Sequence, residues 1–155
     1  SSERLQFRGH LPMHDYLAAH ADVDIILDSV PYTGGATSRL ALWMGVPLLT
    51  LYGPSLQQRQ GLCLDAAIGL SDWAVPDAPS YVEKARAAAS DLPALAALRA
   101  GMRERLAASP LMHPYLRTRG LEKAMRAMWQ RWCAGLPPIA INVDKQDLQD
   151  DDANH

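Results

Sequence analysis

The chain has 155 residues, a length that fits one domain with a single core, and carries 48% hydrophobic and 21% charged residues with a formal net charge of −2. Asp and Glu are interspersed among Lys and Arg, so no basic stripe marks a nucleic-acid partner. No apolar run approaches the roughly 18 to 20 residues that cross a bilayer, and no signal-peptide pattern is present, so no membrane partner is expected.

In chain order, the first expected strand is Arg4-Leu5-Gln6-Phe7-Arg8, with Leu5 and Phe7 alternating against polar neighbours. Pro12 suits the first turn of a helix through Tyr16, Leu17 and Ala18. Val23-Asp24-Ile25-Ile26-Leu27 is short and β-branched and reads as a strand buried on both faces of a parallel sheet. Asp28 closes it, and Ser29 to Gly35 is rich in turn residues. A helix is expected from about Ala36 through Met44, stopped by Gly45 with Pro47 beyond. Leu48 to Leu51 is a further buried strand. Helices are then expected over Gln57–Ile68, Tyr81–Ala89, Ala94–Ala107 and Arg119–Cys133. The stripes Leu95, Leu98, Met102, Leu106 and Leu121, Met125, Met128, Trp132 read as core faces.

Cys63 and Cys133 lack metal or CxxC spacing and read as reduced thiols on apolar helix faces, as expected of a cytoplasmic protein. His10 and His14 are separated by Pro12, which interrupts a shared helical face, so no metal is expected. The alternation of strand and helix predicts βαβ units and a doubly wound sheet. About three strands are legible where such a sheet has five or six, so the fold is expected to be incomplete, a fragment of something longer.

The segment Asp28 to Gly45 carries the strongest chemical signal. Gly34 and Gly35, followed by Ala36, Thr37 and Ser38 at a helix start, let several backbone N–H groups converge beside a positive helix terminus. That arrangement favours a phosphate or diphosphate at the carboxyl end of a parallel strand. It is neither GxGxxG nor a Walker loop, since no Lys follows the glycines. A second reading stands beside it: the glycines turn the chain and Thr37 or Ser38 caps the helix.

The stretch Asp28-Ser29-Val30-Pro31-Tyr32-Thr33-Gly34-Gly35-Ala36-Thr37, followed by Ala41-Leu42-Trp43-Met44-Gly45-Val46-Pro47, closely resembles LDxxPYNGGTTxxxALWMGVPVVTL of the O-linked N-acetylglucosamine transferase family, in its bacterial, SPINDLY-like form. The likeness extends upstream through Phe7 to Pro12, Asp15 to Leu17 and Asp24 to Asp28. Downstream, Gly53, Arg59, Ala67 and Gly69-Leu70 fall on GExxxSRxxxSLLxxxGL. Leu98-Arg99, Met102-Arg103, Leu106, Ser109-Pro110-Leu111 and Ala127-Met128-Trp129 match the helical C-terminus of the family's catalytic region.

The resemblance implies an α/β fold, the Rossmann-like C-terminal half of a two-domain GT-B glycosyltransferase with a helical C-terminal extension. Residues 1–135 would form the nucleotide-sugar domain, and 136–155 an acidic, disordered tail. It implies an inverting, metal-independent protein O-glycosyltransferase transferring N-acetylglucosamine from a UDP-sugar to Ser or Thr, with no cofactor besides that donor. Implied partners are a protein acceptor, an N-terminal Rossmann-like half and tetratricopeptide repeats. Gly34, Gly35, Ala36 and Thr37 would hold the diphosphate. Leu11 and Tyr16 would hold the base, and Leu40 stands where the family binds the ribose. Tyr16 could equally be a core residue, and Arg59 either a phosphate contact or an exposed ion-pair partner.

Three departures accompany this likeness. Leu40 replaces a Glu or Asp, Pro54 replaces an acidic residue after Gly53, and Gly35 and Ala36 stand where relatives carry His and Thr. They keep open a degenerate, non-catalytic scaffold, or a relative using another nucleotide sugar or acceptor. The family's Lys and any general base would lie outside these residues. No catalytic residue is therefore expected in this chain, which should not turn over substrate alone.

Overall fold

The structure, a computed structural model, describes residues 2–143 and divides into two compact units, Ser1–Ala108 and Ser109–His155. In the first unit, β1 (Ile26–Leu27), β2 (Leu48–Leu51) and β3 (Ala74–Val75) form a sheet in the order β1-β2-β3. Both pairings are parallel, with Ile26 opposite Leu48 and Thr50 opposite Ala74. Around them lie α1 (Met13–Ala18), α2 (Ala36–Trp43), α3 (Gln60–Ala67), α4 (Ala78–Ser90) and α5 (Leu92–Ala107). The order β1-α2-β2-α3-β3 gives the βαβ alternation of a doubly wound fold, as the sequence predicts.

Local chemistry sets the element ends. Gly45 takes φ of +84° just past α2, and the N–H groups of Gly45 and Val46 return to the carbonyls of Leu42 and Ala41. This is a Schellman closure, which needs a residue tolerant of left-handed backbone. Asp77 accepts from the Ser80 amide at the start of α4, and Asp91 from the Ala94 amide at the start of α5. Leu42, Val46, Leu48, Leu49 and Met102 are fully buried, with Leu64, Leu95 and Leu106 nearly so. Leu95, Met102 and Leu106 of the expected stripe are therefore core, while Leu98 is half-buried.

Several expectations need correction. Residues 4–8 are not a strand: Arg4 ends a short 3-10 turn and the rest is irregular. Phe7 is 91% exposed, so its alternation with Leu5 marks no buried face. The expected strand 23–27 shrinks to Ile26–Leu27, and Leu27 is 59% exposed because β1 pairs with β2 alone. β3 was not legible, being two residues between a turn and a helix cap. Gln57–Ile68 divides into a 3-10 turn, Leu56–Arg59, and α3. Both cysteines lie on helices but are exposed.

The second unit holds a short turn, Pro110–Met112, and α6 (Pro114–Cys133). Leu121, Met125 and Met128 are more than half exposed and Trp132 is 76% exposed, so this stripe is not core within the described residues. Periodicity shows that a face is apolar; it does not show what covers it. After Gly135 the chain folds back, and the Arg131 guanidinium donates to the Pro137 carbonyl at 2.7 Å. The acidic end of the expected tail, residues 144–155, lies outside the described residues.

Candidate functional site

Asp28 organises the turn that follows β1. Its Oδ1 accepts the amides of Ser29 (3.0 Å) and Gly34 (2.8 Å), and its Oδ2 accepts the Thr50 hydroxyl of β2 (2.9 Å). The Tyr81 hydroxyl reaches the Asp28 carbonyl at 3.3 Å. A buried carboxylate engaged by three donors is well satisfied, and here it pins both ends of a six-residue loop. The loop includes a cis Val30–Pro31 peptide. Thr33 anchors its other side, donating from both N–H and Oγ1 to the Gln57 carbonyl.

Two glycines make this close approach possible. A Cβ at Gly34 would fall on the Ser38 hydroxyl and lie 3.3 Å from Asp28 Oδ1 and from Thr37 Oγ1. A Cβ at Gly61, in α3, would press on Thr50 and lie 2.7 Å from Asp28 Oδ2. Gly35 is the N-cap of α2, and no side chain caps that helix. Its first-turn amides have no partner inside the helix. The reading in which Thr37 or Ser38 caps the helix is thus not what the fold adopts. The Gly34 amide is committed to Asp28, so the donors left for a ligand are those of Gly35, Ala36 and Thr37.

A cavity of about 220 Å³ opens at this turn, lined by Gly34, Thr37, Ser38 and Asp28 among others. A larger cleft of about 920 Å³ is lined by Leu11, Pro12 and neighbours in the irregular segment before α1. Tyr16, His20 and Ile26 line both, so the two adjoin. Leu11 and Tyr16 therefore share one cleft, and Tyr16, Gly34 and Thr37 share the smaller space. Leu40 is half-buried on α2 and lines neither, and Arg59 is exposed at the end of its 3-10 turn and lines neither. Among the described residues no group of three or more His, Cys, Asp or Glu is placed to hold a metal.

Sequence reasoning missed Asp28 as the hub and Gly61 as the close approach. The signal for Asp28 was its place at the end of a parallel strand, directly before the glycine turn. It also missed Asp65, which lies fully buried in α3 with neither carboxylate oxygen hydrogen-bonded. Burial, followed by repulsion from Asp28 and Asp72, pushes its pKa up to about 8.

The chain matches no family model. It is 39% identical over 131 residues to a protein of Hordeum vulgare described as a probable UDP-N-acetylglucosamine–peptide N-acetylglucosaminyltransferase SPINDLY, covering 84% of this chain. A SPINDLY protein of Arabidopsis thaliana is 34% identical over 89% of the chain. A solved structure, a variant of the Thermobaculum terrenum O-GlcNAc transferase, superposes with a TM-score of 0.77 and 36% identity over 87% of this chain and 26% of its own. The chain spans 14% and 15% of the length of the two plant relatives.

Proposed function

The chain belongs to the O-linked N-acetylglucosamine transferase family, and on that premise we propose that it binds the UDP-sugar donor of a protein O-glycosyltransferase. The transfer is inverting and metal-independent, delivering N-acetylglucosamine to Ser or Thr. An N-terminal Rossmann-like half and tetratricopeptide repeats complete the protein, which acts in the cytoplasm. No described helix is long and apolar enough to cross a membrane.

One observation carries this reading. The uncapped amino end of α2 and the glycine turn sit at the carboxyl end of a parallel strand, beside a small cavity that continues into a larger cleft. A diphosphate at the turn would receive the amides of Gly35, Ala36 and Thr37 and the positive end of the helix. The base would then occupy the cleft beside Leu11, with Tyr16 at its junction. In an inverting transfer the leaving diphosphate gains negative charge as the sugar departs. Amides fixed before the reaction stabilise that charge without reorganising. The acceptor, the general base and the family's Lys belong to the rest of the protein.

Calorimetric titration with UDP tests the reading. Dissociation in the micromolar range, about −8 kcal/mol, is expected. No heat of binding up to millimolar UDP would favour a scaffold that has lost its nucleotide.

A further inference from the structure

We propose that His20 reads the ribose of the bound nucleotide, its Nε2 accepting a hydrogen bond from a ribose hydroxyl. The inference rests on the donor-binding reading above and adds to it a residue that the family likeness does not mark.

Position comes first. His20 lies in the 3-10 turn Ala19–Asp22 that follows α1, and it is one of three residues lining both the larger cleft and the small cavity at the glycine turn. A nucleoside diphosphate is a linear ligand, with the ribose between base and phosphates. With the base in the cleft and the diphosphate at Gly35 to Thr37, the sugar passes the junction where His20 stands.

Orientation comes second. His20 is buried, and its Nδ1 lies 2.9 Å from the Tyr16 carbonyl oxygen. A carbonyl only accepts, so Nδ1 carries the hydrogen, and in the neutral ring Nε2 is the acceptor. The ring also meets Tyr16 edge to face, with centroids 4.9 Å apart and an interplanar angle of 89°. Both contacts hold the imidazole in one pose, so its acceptor is fixed before a ligand arrives.

Chemistry comes third. Nε2 has no hydrogen-bond partner among the described residues. The Asp65 oxygens are the buried side-chain polar atoms that lack one there, so Nε2 keeps contact with open space. Phosphate oxygens accept and do not donate, whereas ribose hydroxyls donate. An accepting nitrogen at this junction therefore suits the sugar and not the phosphates, and its place between the two spaces puts it beside the ribose. Leu40 offers no polar group, and it lines neither cavity. His20 supplies an acceptor that Leu40 cannot.

The test is calorimetry on the full chain with UDP, 2′-deoxy-UDP and 3′-deoxy-UDP, using the wild type, His20→Asn and His20→Gln. Asn can keep the bond to the Tyr16 carbonyl through its amide while removing the acceptor at Nε2. Gln places an amide group near Nε2. In the wild type, one deoxy analogue should bind about tenfold more weakly than UDP. His20→Asn should bind UDP about tenfold more weakly and no longer distinguish that analogue, with partial recovery in His20→Gln. Equal binding of UDP and both analogues by the wild type would overturn the proposal whether or not the variants fold. So would an unchanged UDP affinity in His20→Asn, or an equal analogue penalty in both proteins; each would leave the donor reading standing. Absence of UDP binding by the wild type would sink both.

Discussion

At the scale of single residues, the site is built by what surrounds Asp28. Its carboxylate draws the Ser29 and Gly34 amides and the Thr50 hydroxyl to one place, and Gly34 and Gly61 make room for it. Gly34→Ala would drive a methyl group into Ser38, so overpacking should cost about 1–3 kcal/mol of stability. The same displacement moves the amino end of α2, so UDP affinity should fall by at least about tenfold; thermal melting and calorimetry read the two effects. Asp65 gives a second prediction. Its ordinary pKa is 3.8 and its folded value is about 8. Between those values the unfolded chain ionises Asp65 while the folded protein keeps it protonated. Its contribution to stability is therefore fully present below about pH 4 and is lost as pH rises towards 8. Asp65→Asn should flatten the melting temperature across that window and raise it at pH 8. An unchanged pH slope would place the burden on another group.

At the scale of elements, the helices show what a pattern can and cannot reveal. The stripes on α5 and α6 look alike in sequence, yet Met102 is fully buried and Leu121, Met125 and Trp132 are exposed. Met102→Ala should cost about 2–5 kcal/mol, while Leu121→Gln with Met125→Gln should leave the melting temperature nearly unchanged. The reverse ranking in a melting series would contradict this division. Helix ends were legible because their chemistry is local: Gly45 past α2 and the helix stop before Pro47 could be read directly. The strands were less so. Leu48 to Leu51 was readable because it is buried between two neighbours, whereas Ala74–Val75 is too short to carry a period. Residues 4–8 show the opposite error, since alternation without a pairing partner makes no strand. The glycine turn was legible as a ligand-binding candidate. Asp28 was not, because its role depends on Thr50, which is 22 residues away in sequence.

At the scale of the whole molecule, a parallel sheet presents the ends of its strands to one edge, and the glycine turn, His20 and the two cavities gather near the end of β1. The sequence placed Leu11, Tyr16 and the turn in one functional group, and the fold brings them to adjoining spaces. It also grouped Leu40 and Arg59 with them, and the fold sets both apart from those spaces: α2 turns Thr37, Ser38 and Ala41 to the cavity with Leu40 off that face, and Arg59 is exposed at the end of its 3-10 turn. Donor binding depends on the three backbone amides at the start of α2 receiving the pyrophosphate. Amide chemical shifts recorded during a UDP titration examine this most directly. The resonances of Gly35, Ala36 and Thr37 should move together and saturate with the calorimetric affinity. If UDP binds while those three resonances stay in place, the pyrophosphate lies elsewhere and the glycine turn is not its site.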